Sequence, residues 1–286
     1  MTTYAIASGK GGTGKTTVSV HLAHLLAEQG EKVQYLDCDV EEPNGHIFLK
    51  PEIECSKDAT IPVPVIDPTL CIACGKCAKV CEFNAIATLK TALVFSELCH
   101  GCGGCMLACP TGAIQEQPRS IGVVETGHSG PIGFVQGRLN VSEPMTGPLI
   151  RAVLQSATPE TTTLIDAPPG TACSVVAAVR DADYVILVTE PTPFGLNDLR
   201  LAVELMRQLA RRFGVVINRV GSGNTAVQAY CQAEYIPVLA EIPDSRKVAE
   251  AYSRGEMMTD PDFGLKAALL PVVLGIMHGN PEEHCS

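Results

Sequence analysis

The chain has 286 residues, 46% of them hydrophobic and 18% charged, a composition that is ordinary for a globular protein with one or two packed domains. Its formal net charge of −10 argues against a nucleic-acid backbone as the main partner, because such binding needs a basic face. No apolar run is long enough for a membrane span, and the first residues lack the features of a signal peptide, so we expect a cytoplasmic protein.

The predicted elements alternate between strands and helices along most of the chain. Residues 3–8 read as a short apolar strand, a glycine-rich loop follows, and residues 16–29 carry apolar side chains at helical spacing up to Gly30. Further strands are predicted at 32–39, 161–167, 183–191, 213–220 and 236–243. A helix predicted at 196–213 aligns one apolar stripe, formed by Leu196, Leu199, Val203, Met206, Leu209 and Phe213. This alternation predicts an α/β fold with a mostly parallel sheet.

The alternation is interrupted between residues 59 and 118, where proline clusters flank a segment rich in cysteine. We therefore predict two domains: a discontinuous one formed by residues 1–58 and 119–286, and a small inserted one at 59–118. Eight of the thirteen cysteines fall inside this insert. A reducing cytoplasm makes metal binding or catalysis a better explanation for them than disulfides.

The segment GKGGTGKT matches the phosphate-loop motif G-x-x-x-x-G-K-S/T and lies between a predicted strand and a predicted helix. Glycines let backbone N–H groups turn inward on phosphates, the Lys15 ammonium reaches the β and γ oxygens, and the Thr16 hydroxyl ligates magnesium. The sequence thus predicts a site for ATP or ADP with Mg²⁺. Its loop residues are Gly9, Gly11, Gly12, Thr13, Gly14, Lys15, Thr16 and Thr17.

A second lysine, Lys10, follows the first glycine of this loop, and KGGTGKTT resembles the deviant Walker A loop of the MinD/ParA superfamily of P-loop ATPases. In that family the extra lysine contacts the nucleotide of a partner subunit. The resemblance therefore implies a homodimer that encloses ATP, with Lys10 acting in trans. A cation near the γ-phosphate would stabilise the charge that develops as the bond breaks.

The resemblance continues on both sides of the insert. DCD after the second strand resembles the first switch of the family, where Asp39 would orient the attacking water, while Asp37 is as compatible with forming a turn. LIDAPPGT resembles the second switch, which implies that Asp166 holds magnesium through water and that Gly170 lies near the γ-phosphate. INRV and IPDS resemble the segments that bracket adenine, which implies base contacts from Asn218, Arg219 and Asp244.

The insert contains two cysteine runs of the form C-x2-C-x2-C-x3-C, namely CIACGKCAKVC and CHGCGGCMLAC. In the two-cluster ferredoxin pattern the fourth cysteine of each run ligates the other cluster. We therefore predict two 4Fe-4S clusters, one held by Cys71, Cys74, Cys77 and Cys109, and the other by Cys99, Cys102, Cys105 and Cys81. Zinc is the rival metal, but zinc ribbons use paired C-x2-C motifs rather than two complete runs of four cysteines.

The insert as a whole resembles a bacterial-type two-cluster ferredoxin, which implies a small α+β domain. One position departs from that pattern, because Cys109 is followed by proline whereas Cys81 is followed by Glu82. A carboxylate there would disfavour the negative charge added on reduction. We expect the cluster held by Cys81 to have the lower potential of the two.

The five remaining cysteines are scattered at Cys38, Cys55, Cys173, Cys231 and Cys285. Cys173 lies just beyond the second switch, where the related nitrogenase iron protein has a cluster ligand, but we expect it to be a buried thiol. A labile cluster site formed by Cys173 with another lone cysteine stays open. The C-terminal PEEHCS is expected to fray, and the absence of Lys or Arg after Lys266 argues against membrane binding.

The whole chain resembles MinD-type P-loop ATPases with an inserted ferredoxin domain, a group that includes members of the orange-protein (ORP) complex and is related to the nitrogenase iron protein and Mrp-type iron-sulfur ATPases. This resemblance implies a dimeric ATPase whose nucleotide state is coupled to electron transfer with a redox partner. A carrier or assembly ATPase for iron-sulfur clusters or a metal cofactor, acting on a client protein, is the main alternative. A cell-positioning ATPase with redox-sensing clusters is a weaker one.

Overall fold

The computed structural model describes residues 2–221, 224–259 and 261–282, so Cys285 and most of the C-terminal PEEHCS segment lie outside the described residues. The chain forms two compact units. Unit 1 consists of Met1–Ser56, Val124–Arg138 and Ile150–Ser286, and unit 2 consists of Lys57–Val123 and Leu139–Leu149. Unit 2 thus contains the whole segment 59–118 together with flanking residues and a second stretch from 139 to 149.

Along the chain, the strands and helices of unit 2 lie between those of unit 1. The strands are β1 (Thr2–Ser8), β2 (Val33–Asp37), β3 (Glu52–Ile66), β4 (Ile86–Thr88), β5 (Ala92–Val94), β6 (Ile114–Ser129), β7 (Ile132–Leu139), β8 (Thr162–Pro169), β9 (Tyr184–Thr189), β10 (Phe213–Val220) and β11 (Val238–Pro243). The α-helices are α1 (Lys15–Glu28), α2 (Gly45–Leu49), α3 (Lys76–Lys79), α4 (Gly104–Ala108), α5 (Thr146–Leu154), α6 (Cys173–Val179), α7 (Pro193–Gln208), α8 (Ala226–Ala233), α9 (Arg246–Ser253) and α10 (Leu265–Met277). Short 3-10 turns occur at Ser96–Leu98 and Pro261–Phe263.

The main sheet has the strand order β11-β10-β9-β1-β8-β2-β7-β6-β3. Every adjacent pair from β11 to β7 is parallel, which confirms the predicted α/β fold with a mostly parallel sheet. Strand β1 lies between β8 and β9, and Asp37 at the end of β2 is in register with Asp166 of β8. The carboxyl ends of β1, β2 and β8 therefore meet at one edge, where ligands bind in open parallel sheets.

A large apolar core packs α1 and α10 against the sheet. It contains Leu22 and Leu26 of α1 together with Leu269, Val272 and Val273 of α10, all fully or almost fully buried. The last helix is thus part of the core of unit 1. Among the described residues no helix combines the length and apolar character needed to cross a bilayer.

The structure differs from the sequence prediction at the end of α7. This helix ends at Gln208, so the predicted continuation to residue 213 was wrong, and Phe213 begins β10 instead. Ala210 adopts a left-handed backbone conformation with φ 52°, which interrupts helical geometry. Phe213 lies at helical spacing from the apolar residues of α7 by coincidence, because it belongs to the next strand.

The proline clusters that flank the insert lie within long strands. Pro62 and Pro64 belong to β3, and Pro118 belongs to β6. Strand β3 is at the end of the sheet order, and an edge strand tolerates proline because half of its N–H groups have no strand to pair with. The predicted domain boundaries at residues 59 and 118 therefore lie inside β3 and β6.

Unit 2 contains a small antiparallel pair, β4 and β5, and two short helices. Helices α3 and α4 each start after a glycine in left-handed conformation, Gly75 with φ 74° and Gly103 with φ 71°. The buried cluster of this unit includes two cysteines, Cys77 and Cys105, beside Ile86. Thiols thus take the place that aliphatic side chains hold in an ordinary core.

Candidate functional site

The phosphate loop connects the end of β1 to the start of α1 in a conformation that needs its glycines. Gly12 and Gly14 have φ of 79° and 92°, in the left-handed region that favours glycine. A methyl group on Gly14 would lie 2.2 Å from the Asn218 Nδ2 atom, which donates a hydrogen bond of 2.8 Å to the Thr13 carbonyl. The loop is therefore held closely against the end of β10.

A cavity of about 360 Å³ opens beside this loop within unit 1. Its size suits a small-molecule ligand. Ten of the predicted nucleotide-site residues line it, namely Gly11, Gly12, Gly14, Lys15, Thr16, Thr17, Asp39, Asn218, Arg219 and Asp244. The others, Gly9, Lys10, Thr13, Asp166 and Gly170, are not in its lining. The lining also includes Glu42, Asn44 and Tyr252, which sequence reasoning did not single out.

Lys15 is the electrostatic centre of the site. Its Nζ atom donates a hydrogen bond of 2.6 Å to Asp166 Oδ1 and lies 3.8 Å from Asp39 Oδ2. Burial pushes the pKa of Lys15 down, but the carboxylates of Asp166, Asp39 and Asp37 raise it above its usual value. The lysine is therefore charged, and it holds together the ends of β2 and β8 where phosphate and magnesium would bind.

Both oxygens of Asp166 have partners, because Tyr35 donates its hydroxyl hydrogen to Asp166 Oδ2 at 2.9 Å. Tyr35 is fully buried and its ring stacks on Phe134 at 5.8 Å between centroids. The sequence pattern shows Tyr35 only as an apolar strand residue. Its contact with the magnesium candidate Asp166 follows from the pairing of β2 with β8, which the sequence does not reveal.

Asp37 is fully buried and organises the segment after β2. Its two oxygens accept hydrogen bonds from the backbone N–H groups of Gly45, at 2.9 Å, and Asp39, at 3.2 Å. Burial raises the pKa of Asp37 to about 8, and the Asp166 carboxylate adds to the shift. This carboxyl group holds Asp39 in place through the backbone, so it is a turn former inside the site.

The raised pKa of Asp37 predicts a pH-dependent stability. Between its ordinary pKa of 3.8 and about 8, the folded chain holds a proton that the unfolded chain has lost, so stability falls as pH rises through this window. Asp39, whose pKa burial raises to about 6, adds to this fall at lower pH. His21, whose pKa burial lowers to about 4, opposes it up to its ordinary value of 6.5. From about pH 6.5 to 8 the Asp37 contribution therefore stands alone among these three groups.

Urea unfolding of the nucleotide-free protein should accordingly show a lower free energy of unfolding at pH 8 than at pH 6.5. In Asp37→Asn the amide cannot ionise, so the decline over this interval should flatten. An equally steep decline in that variant would show that another group titrates. Asp183→Asn changes a carboxylate that accepts a hydrogen bond from Thr3 and serves as the control.

Lys10 and Arg219 share one partner, Glu190, directly after β9. Lys10 Nζ lies 3.6 Å from Glu190 Oε2, and Arg219 Nη1 donates a short hydrogen bond to Glu190 Oε1. Lys10, which is predicted to act in trans, and Arg219, which is predicted to contact the base, thus pair with the same carboxylate. Glu190 was missed because a single glutamate after an apolar strand carries no motif.

Unit 2 contains two further cavities, each lined by four cysteines. Cavity A, as we name it, is lined by Cys71, Cys74, Cys77 and Cys109 together with residues such as Ile66, Lys76 and Thr88. Cavity B is lined by Cys81, Cys99, Cys102 and Cys105 together with residues such as Phe83, His100 and Glu116. In each cavity the lone cysteine from the other run joins three from one run, which is the grouping that the spacing predicts.

The cysteine sulfurs in these cavities are surrounded by hydrogen-bond donors. Ala85 donates its backbone N–H to Cys81 Sγ at 3.3 Å, and Gly101 does so to Cys99 Sγ at 3.4 Å. The Thr111 backbone and hydroxyl lower the pKa of Cys109, as the Thr91 hydroxyl does for Cys71. Such donors favour thiolate, the form that binds iron, at Cys71 and Cys109, whereas burial raises the pKa of Cys77 and of Cys105. In the described ranges, no group of three or more His, Cys, Asp or Glu side chains is arranged so that it could hold a single metal ion.

Cavity B is bordered by an aromatic pair, since the rings of Phe83 and His100 stack with centroids 3.7 Å apart. Glu82, which the sequence places next to Cys81, is exposed and is not in the cavity lining. Glu116 is in the lining instead. If a carboxylate sets a lower potential at this cavity, Glu116 is the better placed of the two.

The scattered cysteines do not come together in the described part of the chain. Cys173 is exposed at the first residue of α6, so the expectation of a buried thiol was wrong. The residues between Gly170 and this helix, Thr171 and Ala172, are exposed as well. Cys231 is fully buried in α8, and burial raises its pKa to about 11, so it is not a surface ligand that Cys173 could recruit.

Comparisons with known proteins agree with this architecture. The family model of the CobQ/CobB/MinD/ParA nucleotide binding domain matches residues 4–258. An uncharacterized protein of Methanocaldococcus jannaschii is 36% identical over 230 residues, which cover 77% of this chain and 79% of that protein. A Pyrococcus horikoshii protein named iron-sulfur cluster carrier protein is 24% identical over 279 residues, 88% of this chain and 77% of its own.

Solved structures show the same fold. The cell division ATPase MinD of Pyrococcus furiosus superposes with a TM-score of 0.60 at 20% identity, covering 97% of this chain and 98% of that one. MinD of Pyrococcus horikoshii in complex with Mg-ADP gives 0.58 at 19% identity, covering 96% and 95%. At such identities the likeness supports the fold alone. From the match over most of its length, the chain belongs to the CobQ/CobB/MinD/ParA family of nucleotide-binding proteins.

Proposed function

We propose that the protein is an ATP-hydrolysing switch that dimerises around nucleotide, carries two 4Fe-4S clusters and couples its nucleotide state to electron transfer with a redox partner protein. One observation carries this proposal. Unit 2 has two cavities lined by four cysteines each, in a chain whose other unit has a phosphate loop and a cavity beside it.

The residues of both cavities fit the clusters. A cubane cluster takes four thiolates, and each cavity supplies four cysteines, some of them with an N–H or hydroxyl group near the sulfur. Cavity A would use Cys71, Cys74, Cys77 and Cys109, and cavity B would use Cys81, Cys99, Cys102 and Cys105. When bound, such clusters supply one-electron transfer. All eight ligands are internal, which suits permanent carriers better than cargo.

At the nucleotide site the residues divide the work by charge and position. The Lys15 ammonium binds phosphate oxygens, and the Thr16 hydroxyl with Asp166 holds Mg²⁺. Asp39 orients the attacking water, and Lys10 of a second copy stabilises charge on the γ-phosphate. The base lies against Asn218, Arg219 and Asp244, which line the cavity.

Lys15 bonds to Asp166 and lies near Asp39. Phosphate oxygens of ATP would compete with these two carboxylates for Lys15, which would leave Asp166 to help Thr16 hold Mg²⁺. The switch segments after β2 and β8 therefore change partners when MgATP binds. This exchange is the conformational signal that we assign to the protein.

A second candidate is supported by relatives that are named iron-sulfur cluster carriers, such as the Pyrococcus horikoshii protein. In that function the protein would deliver a cluster or metal cofactor to a client. Cys173 is exposed and follows the second switch segment, a position that suits a labile site between two subunits, while Cys231 is buried. The net charge of −10 gives neither candidate a basic face for nucleic acid, and for both we propose a cytoplasmic setting without membrane binding.

The two candidates separate in one experiment on anaerobically prepared protein. Iron and sulfide are measured, and the loaded protein is then mixed with an apo-ferredoxin acceptor with and without MgATP. We expect about eight irons per chain that stay with the protein. Transfer of iron to the acceptor, accelerated by MgATP, would establish the carrier function in place of electron transfer.

A further inference from the structure

Glu190 is a buried carboxylate with two cationic partners. Its side chain is 10% exposed, whereas those of Lys10 and Arg219 are 34% and 52% exposed. A carboxylate removed from water is costly unless it is paired. Glu190 therefore needs at least one cation, and it has two.

The backbone around Glu190 is fixed. The Thr192 N–H donates a hydrogen bond of 2.8 Å to the Glu190 carbonyl, and a methyl group on Gly195 would lie 2.3 Å from that oxygen. The Thr192 hydroxyl caps α7 by accepting from the Gly195 N–H. The Glu190 backbone is thus fixed at the start of a helix, and of its two cationic partners Lys10 makes the longer contact, at 3.6 Å, so it is the one that can leave.

We propose that Glu190 is a latch for Lys10: it holds the lysine against its own chain until the nucleotide of a second copy draws it away. This proposal rests on the proposed function, in which Lys10 acts across the dimer. When Lys10 leaves, Arg219 stays with Glu190, so no buried charge is left unpaired. Because Arg219 still pairs with Glu190, Lys10 can leave at a low cost in free energy.

The latch opposes dimerisation, so removing its charge should favour the dimer. In Glu190→Gln, the amide attracts Lys10 less, and half-maximal dimerisation should occur at an ATP concentration about two- to fivefold lower than in wild type, as expected for a partly exposed ion pair. Dimer formation is measured on the full chain by light scattering with MgATP. Glu204→Gln, an exposed glutamate on α7, is the matched control and should behave as wild type.

A double variant tests whether the effect passes through Lys10. In a Lys10→Ala background, Glu190→Gln should give no gain, whether that background dimerises weakly or not at all. A gain there, or a Glu190→Gln protein that dimerises at the wild-type ATP concentration, would overturn the latch. Thermal unfolding of each nucleotide-free variant checks that the turn at Glu190 stays folded.

Failure of the proposed function gives a different result. If wild type shows no dimer with MgATP, the in-trans role of Lys10 is wrong. The contact between Glu190 and Lys10 is then tested in the protein without nucleotide. There, acetylation of Lys10 by an amine-reactive reagent, followed by mass spectrometry, should be faster in Glu190→Gln than in wild type. Equal rates would show that Glu190 does not hold Lys10.

Discussion

Replacing Lys15 with methionine should lower nucleotide affinity about 10- to 100-fold, because the phosphates lose their main charge-assisted hydrogen bonds. It should also lower the free energy of unfolding of the nucleotide-free protein by about 3 kcal/mol at neutral pH. The second effect arises because Lys15 is buried between the carboxylates of Asp166 and Asp39. Without the lysine these groups remain buried with no cation between them.

The stability loss should shrink as the pH falls, since protons can then neutralise the carboxylates that Lys15 no longer balances. Urea unfolding at several pH values and nucleotide titration by calorimetry measure the two effects separately. Lys32→Met removes an exposed lysine and should change neither. A Lys15→Met protein with wild-type stability and wild-type affinity would contradict the electrostatic account of the site.

Cysteine variants should remove clusters according to cavity and not according to sequence run. Cys74→Ala with Cys109→Ala changes two residues of cavity A, so about four of about eight irons should remain. Cys74→Ala with Cys81→Ala changes one residue in each cavity and should leave almost no iron. If each run instead held its own cluster, these two results would be exchanged.

Two further variants test whether iron is lost simply because a variant misfolds. Cys81→Ala with Cys102→Ala changes cavity B alone and should also leave about four irons. Cys55→Ala changes an exposed cysteine of β3 that lines neither cavity and should keep all of them. Loss of all iron in both same-cavity pairs and also in Cys74→Ala with Cys81→Ala, with Cys55→Ala fully loaded, would mean that the clusters are not independent.

Much of the nucleotide-binding unit follows from local sequence. The loop glycines, Lys15 and Thr16 are fixed by a motif whose chemistry requires those residue types at that spacing. Asp39 follows an apolar strand and Asp166 lies near the end of another, and parallel strands bring such ends together. The grouping of eight cysteines into two sets of four also follows from spacing, because a cubane cluster needs three close ligands and one distant one.

The missed features depend on contacts between distant segments. Tyr35 meets Asp166 only because β2 pairs with β8, and Glu190 meets Lys10 and Arg219 only because β9 lies beside β1 and β10. Whether a strand tolerates proline, as β3 does, depends on its edge position, which is a property of the sheet. Cys173 was expected to be buried from its residue type alone, whereas it is exposed at the first residue of α6.

The coupling of nucleotide to the clusters is the central claim, and redox titration of the anaerobic protein tests it most directly. Midpoint potentials and EPR spectra of the reduced clusters are recorded with and without MgATP, on protein shown to carry about eight irons. We predict that MgATP shifts a midpoint or a spectrum and that the shift disappears in Lys15→Met. Fully loaded protein whose midpoints and spectra are the same with and without MgATP would contradict the account.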